Sequence, residues 1–140
     1  MKLNPYLAFN GTCEEAMTFY RDCLGGEFES INRFRDGPDE MGGTVIPAVM
    51  KDRVMHMTWR FEDNVVMACD SVGEVPEGGN VTLCIDIEDG DRVGAVFEML
   101  SAGGTITFPL ENTFWGARFG MFTDRYGVQW MFNSSGESPD

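Results

Sequence analysis

TFWGARFGMFTDRYGVQWMFN, residues 113–133, reads as two apolar strands closed by a tight turn. Asp124 supplies a carboxylate that can take a backbone N–H two residues on, and Gly127 supplies a positive φ at no steric cost. Residues 116–123 make the first strand and residues 128–133 the second. In the second strand Val128, Trp130 and Phe132 alternate with Gln129, Met131 and Asn133. A period of two therefore puts the first set against a core and turns the second towards a more polar surface, where a pocket wall is expected.

Upstream of this hairpin lies a series that occurs twice. Residues 80–87 read as a strand, Asp89 or Asp91 can cap a helix whose apolar face is Val93, Val96, Phe97 and Leu100, Gly103-Gly104 ends it, and residues 105–110 begin the next strand. The earlier copy starts with a strand over residues 3–9, where Pro5 is tolerated only near the start or on an edge. Thr12 with Glu15 three residues on forms a capping box, and Ala16, Phe19, Tyr20 and Leu24 share one helical face. Gly25-Gly26 stops that helix. Residues 27–35 return as a strand with Phe28, Ser30, Asn32 and Phe34 on one side. Residues 53–61 and 64–69 follow as two further strands, the second reaching Asp70. Phe19 precedes its glycine pair by the interval at which Phe97 precedes Gly103-Gly104.

Each half thus reads β-α-β-β-β, which predicts an α+β fold: two tandem βαβββ modules forming an open, cleft-enclosing mixed sheet. Within a single domain over residues 1–140, the first module is placed at 3–70, a turn-rich linker at 71–79, the second module at 80–133 and a disordered tail at 134–140. Residues 36–52, punctuated by Gly and Pro, are expected to carry a short strand and to act as a lid or crossover. Two such modules packed side by side would enclose a small-molecule cleft between their uncovered faces.

Composition narrows the partner. A formal net charge of −13 opposes nucleic acid and anionic membrane surfaces, leaving a small-molecule ligand as the expected partner. Cys13, Cys23, Cys69 and Cys84 have no CxxC spacing, so a reduced, mostly buried set is expected. No run of about eighteen apolar residues is present, and MKLNPYLAFN leads into a strand pattern without a signal-peptide core. The expected location is the cytoplasm.

The segments LNPYLAFNGTCEEAMTFYRDCLGG (3–26), VMHMTWRF (54–61) and PLENTFWGARFGMFTDRYGVQWMFN (109–133) resemble the vicinal oxygen chelate superfamily of glyoxalases, bleomycin-resistance proteins and extradiol dioxygenases. Within it they look like the PhnB-like branch, often labelled by similarity to a demethylubiquinone methyltransferase domain. The Gly-rich βαβ turn that usually holds a cofactor of that size does not occur in this sequence. The resemblance implies a divalent metal held by one residue on the first and one on the last strand of each half. Those positions fall at Pro5, near Met67, near Thr82 and at Met131. None of them is a hard-metal donor, so no metal cofactor is expected at the usual site. The resemblance also implies a homodimer, with the cleft near or at the subunit interface.

The remaining candidates are individual side chains. His56 is the chain's one histidine, and the strand period places it with Thr58 and Arg60, opposite Met55, Met57 and Trp59. It is the candidate acid/base group. Arg60 or Arg118 could hold a carboxylate or phosphate, Trp115 could stack on a planar ligand, and Gln129 and Asn133 are candidate polar contacts. Asp70 is expected to pair with an arginine. The methionines, Met67 and Met121 among them, are read as filling irregular core or a pocket wall. Together these residues read as a small-molecule-binding protein with a metal-free apolar cleft. The alternative is an enzyme of lyase, isomerase or dioxygenase type, using a displaced divalent metal or His56.

Overall fold

In a computed structural model that describes residues 1–76, 78–113 and 116–134, the order of elements is β1 (Tyr6–Phe9), α1 (Cys13–Leu24), β2 (Glu27–Arg33), β3 (Glu40–Met41), β4 (Thr44–Val45), β5 (Val54–Phe61), β6 (Asn64–Asp70), β7 (Leu83–Asp86), α2 (Gly90–Ser101), β8 (Thr105–Asn112), β9 (Arg118–Thr123) and β10 (Gln129–Ser134). Contacts divide the chain into two compact units, Met1–Val75 and the residues from Pro76 on. The fold is α+β with open mixed sheets. Among the described residues no helix is long and apolar enough to cross a membrane.

The first unit holds a four-stranded sheet in the order β1-β6-β5-β2. β1 runs parallel to β6, with Tyr6 opposite Met67 and Phe9 opposite Asp70, and the other pairs are antiparallel. The helix α1 buries Cys13, Ala16, Met17, Tyr20 and Leu24 on the sheet face that carries Met57, Trp59 and Ala68, themselves inaccessible to solvent. Tyr20 stacks on Trp59 with centroids 6.3 Å apart, and the Trp59 indole N–H donates to the Gly25 carbonyl at 2.9 Å. That carbonyl lies where the helix stops, so one bond satisfies both a buried indole and a helix-end acceptor. A side chain at Gly26 would meet the Arg60 carbonyl at 2.2 Å, so the chain leaves α1 pressed against β5.

Several sequence-based expectations change here. β1 begins at Tyr6, not residue 3, because Pro5 has no N–H for a ladder. Thr12 occupies the N-cap position without a side-chain bond to the helix. Asp70 does that work from β6: its Oδ1 accepts from the Cys13 N–H at 2.9 Å and its Oδ2 from the Val54 N–H at 3.0 Å. The carboxylate is therefore committed to backbone and not to an arginine. A register shift between Phe28 and Ser30 sets Phe28 beside Trp59 and Ser30 beside Thr58, which splits the expected common side of β2. The strand ends at Arg33, and Phe34 turns inward to pack with Ile46, Met50 and Met55. The segment 36–52 thus carries the short β3–β4 hairpin and a small core cluster of its own.

The second unit repeats the arrangement as β7-β10-β9-β8, with β7 parallel to β10. Here the cap is local: Asp89 Oδ1 accepts from the N–H groups of Asp91 and Arg92 at 3.0 and 3.3 Å. Val93, Val96, Phe97 and Leu100 are buried as their spacing requires. The Phe97 ring meets Phe122 and Phe132 edge-on at 5.0 and 5.5 Å, and a side chain at Gly120 would lie 2.7 Å from it. In the closing turn Asp124 Oδ1 accepts from the N–H groups of Tyr126 and Val128 at 2.8 and 3.1 Å, and its Oδ2 accepts from the Trp130 indole at 2.8 Å. Gly127 takes φ 90°. Ser134 is buried and belongs to β10. The rest of the expected tail lies outside the described residues.

Candidate functional site

In each unit one sheet face lies under the helix and the other is left uncovered by it. On β5 of the first unit, Met57 and Trp59 go under α1, while His56, Thr58 and Arg60 point away from it. Register extends that open face across the sheet: Thr58 pairs with Met67 on β6, Met67 with Tyr6 on β1, and Asn32 on β2 with His56. The Tyr6 and His56 rings approach to 5.8 Å at an interplanar angle of 54°. Cys69, two residues along β6 from Met67, shares this face with Tyr6. Burial, and then its thiol neighbour, push the Tyr6 phenol up from 10.0 to about 12. Burial likewise raises the Cys69 thiol. Phenol and thiol are therefore protonated, neutral hydrogen-bonding groups at physiological pH.

The sequence brought forward His56, Thr58 and Arg60 from this face but missed Tyr6 and Cys69. They join it through the parallel β1–β6 pair, which links residues 61 positions or more apart and has no signal in a strand's own period. Arg60 is ion-paired with Glu29 on the neighbouring strand, so its charge already has a partner.

The second-unit candidates separate. Gln129 donates to the carbonyls of Gly79 and Val81, both at 2.9 Å, and so tethers the segment entering β7. Asn133 lies on the open face, opposite Asp86 and Phe119. Arg118 pairs with buried Ser134 and sits on the helix side, where it donates to the Gly90 carbonyl at 3.1 Å. It lines a recess of about 290 Å³ with Asn112 and Ser134, on the opposite face from Asn133. Trp115 lies outside the described residues. The thiols also differ from the expected buried set: all are free, yet Cys13 alone is buried and Cys84 is exposed.

The metal positions implied by the resemblance can be tested against their surroundings. The Pro5 carbonyl accepts from the Met67 N–H at 3.0 Å and is used by the sheet. Register pairs Met131 with Cys84 as it pairs Met67 with Tyr6, so the second-unit counterpart of Pro5 is Leu83, one residue beyond Thr82. Proline, leucine and two thioethers do not fit a hard divalent ion. Among the described residues no group of three or more His, Cys, Asp or Glu gathers as a metal site.

Comparison with known proteins follows this geometry. A family model described as the Glyoxalase/Bleomycin resistance protein/Dioxygenase superfamily matches residues 2–132. Protein YjdN of Escherichia coli strain K12 is 30% identical over 99% of both chains. Protein PA1353 from Pseudomonas aeruginosa is 35% identical, with a TM-score of 0.85 over 96% of this chain and 98% of that one. A PhnB protein from Bacillus cereus, which carries the name of a 3-demethylubiquinone-9 3-methyltransferase, is 26% identical, with a TM-score of 0.79 over 96% and 99% of the two chains.

Proposed function

The chain belongs to the Glyoxalase/Bleomycin resistance protein/Dioxygenase superfamily, and from that premise we propose that it binds a small planar molecule bearing oxygen acceptors, without a resident divalent metal. The observation that carries this reading is the Tyr6–His56 contact on the open face of the first sheet, with Cys69 on the same face. Tyr6 and His56 offer an aromatic surface and hydrogen-bonding groups a few ångströms apart, and Thr58 adds a hydroxyl on the same face. A few fixed polar groups among apolar side chains are what orients a small ligand. The proposal includes a cytoplasmic homodimer. Its support is β8, an edge strand that leaves Ile106 and Phe108 about half exposed.

His56 is the one histidine, so its imidazole gives a single, assignable NMR signal. Titration with catechol, benzoate and pyruvate as probes should shift that signal saturably with at least one of them. Tyr6→Phe should weaken the same binding about tenfold, as expected for removing one hydrogen bond to the ligand. Failure of all three probes to move the signal, or full affinity by calorimetry in a Tyr6→Phe/His56→Gln double variant, overturns the reading.

The second reading is an enzyme of lyase or isomerase type in which His56 moves a proton. The ring contact with Tyr6 favours it over a displaced divalent metal. Turnover lost in His56→Gln while ligand affinity is retained would distinguish catalysis from binding.

A further inference from the structure

The open face of the second sheet carries a row of sulfur-bearing side chains. Cys84 on β7 pairs with Met131 on β10, and Met131 pairs with Met121 on β9, so the three residues form one row across adjacent strands. The neighbouring rows fix which face this is. Trp130 opposite Phe122, and Phe132 opposite Gly120, lie under α2, which turns the sulfur row to the uncovered side. Met121 and Met131 are half-buried and Cys84 is exposed, so the row is reachable from solvent.

We propose that Cys84, Met121 and Met131 form a binding site for a soft monovalent cation of the copper(I) or silver(I) type. One thiolate and two thioethers are the donors such a cation prefers, while magnesium or manganese would find no hard oxygen among them. Neighbouring strands lie about 4.8 Å apart. The flexible methionine side chains can cross that spacing and converge on an ion held at Cys84. Asp86, two residues further along β7 on the same face, and the net charge of −13 favour a cation at this surface. The Cys84 thiol binds as thiolate, so the S–H bond gives way to a sulfur–metal bond and the proton passes to solvent. Because that proton must leave as the metal binds, affinity increases with pH. Of the three donors only Met131 coincides with a superfamily ligand position.

The test is titration of the reduced, full-length protein with silver(I) in chloride-free buffer, following the methionine ε-methyl NMR signals. Those of Met121 and Met131 should move together and saturate at about one equivalent per chain, as one cation shared by both thioethers requires. Cys84→Ser should lower the affinity roughly 100-fold, and Met121→Leu/Met131→Leu by at least about tenfold, the range over which lost groups weaken metal sites. Cys69→Ser should leave it unchanged. Unmoved methyl signals, full affinity in the double leucine variant, which would indicate a lone thiol, or loss of binding with Cys69→Ser would each overturn the proposal. Leucine preserves the volume of methionine, and unchanged amide spectra of the unliganded variants will show that the sheet is intact.

Discussion

The two units follow the same path through the same strand order, yet they keep their bulk on different strands. Under α1 the large side chains stand on β5, where Met57 faces Ala68 and Trp59 faces Val66. Under α2 the weight moves to the partner strand, with Gly120 facing Phe132 and Phe122 facing Trp130. Each helix therefore rests on a filled layer, though no single position in that layer carries the same side chain in both units. Close packing constrains the summed volume of a cross-strand pair more tightly than either member of it. A duplicated fold can thus keep its period of two and its helix spacing while its residues diverge.

The largest expected effect comes from disturbing that exchange of volume. Phe132 has no solvent exposure, and Phe132→Ala should cost about 3–5 kcal/mol in urea unfolding. Gly120→Met alone should destabilise by at least roughly 1–3 kcal/mol, because its Cβ already falls 2.7 Å from the Phe97 ring. The double variant installs the first unit's Met–Ala pairing in the second. If pair volume is what the layer conserves, the double should be at least about 1 kcal/mol more stable than the sum of the singles, since residues in contact couple on that scale. Strict additivity would break the comparison.

The same contrast marks how far the sequence could be read. Local signals held except at Thr12, whose side chain makes no cap bond: Asp124 and Gly127 build the closing turn, Asp89 caps α2, and Phe97 and Leu100 face the core where a helical period puts them. Non-local ones did not. The α1 cap comes from Asp70, 57 residues from Cys13, and no capping rule reaches that far. The alternation of β2 fails at a bulge, which shifts Phe28 and Ser30 to opposite faces. For the candidate site, period two correctly grouped His56, Thr58 and Arg60, but Tyr6 and Cys69 reach that face only through parallel pairing. The sulfur row has the same origin, since each of its residues is unremarkable within its own strand.

Helix capping carries the next effect in size and again divides the units. Asp70→Ala removes an acceptor shared by two buried backbone N–H groups, and should cost about 3 kcal/mol, in line with loss of charge-assisted bonds inside a fold. Asp89→Ala should cost about 1 kcal/mol, the usual value for a local cap. Thr12 makes no cap bond, so Thr12→Ala should fall within about 0.5 kcal/mol of wild type. Chemical denaturation of the three variants would sharpen the distinction between a cap supplied across the sheet and one supplied by its own helix. A Thr12 cost equal to that of Asp89 would remove it.

The smallest expected effect is the share of the Tyr6 phenol in an alkaline pH dependence. The Tyr6 phenol sits at about 12 in the folded chain against an ordinary 10.0, raised chiefly by burial and then by Cys69. Below pH 10 both folded and unfolded chains hold this proton, and the contribution of Tyr6 to stability is intact. Between about pH 10 and 12 the unfolded chain releases the proton first, so the unfolded state gains and stability falls. The thiols of Cys13 and Cys69 are also raised by burial, so they act in the same direction from their ordinary 9.0 upwards. Wild type should therefore soften steadily across the alkaline range. Tyr6→Phe keeps the ring beside His56 and the thiols but removes this one proton, so its melting temperature should fall less steeply above pH 10. With Tyr6 about half exposed, the difference should be small. Divergence of the two melting temperatures above pH 10 would show that the phenol is held neutral by its surroundings, the state in which it can offer a hydrogen bond to a ligand, and curves that stay parallel would refute it.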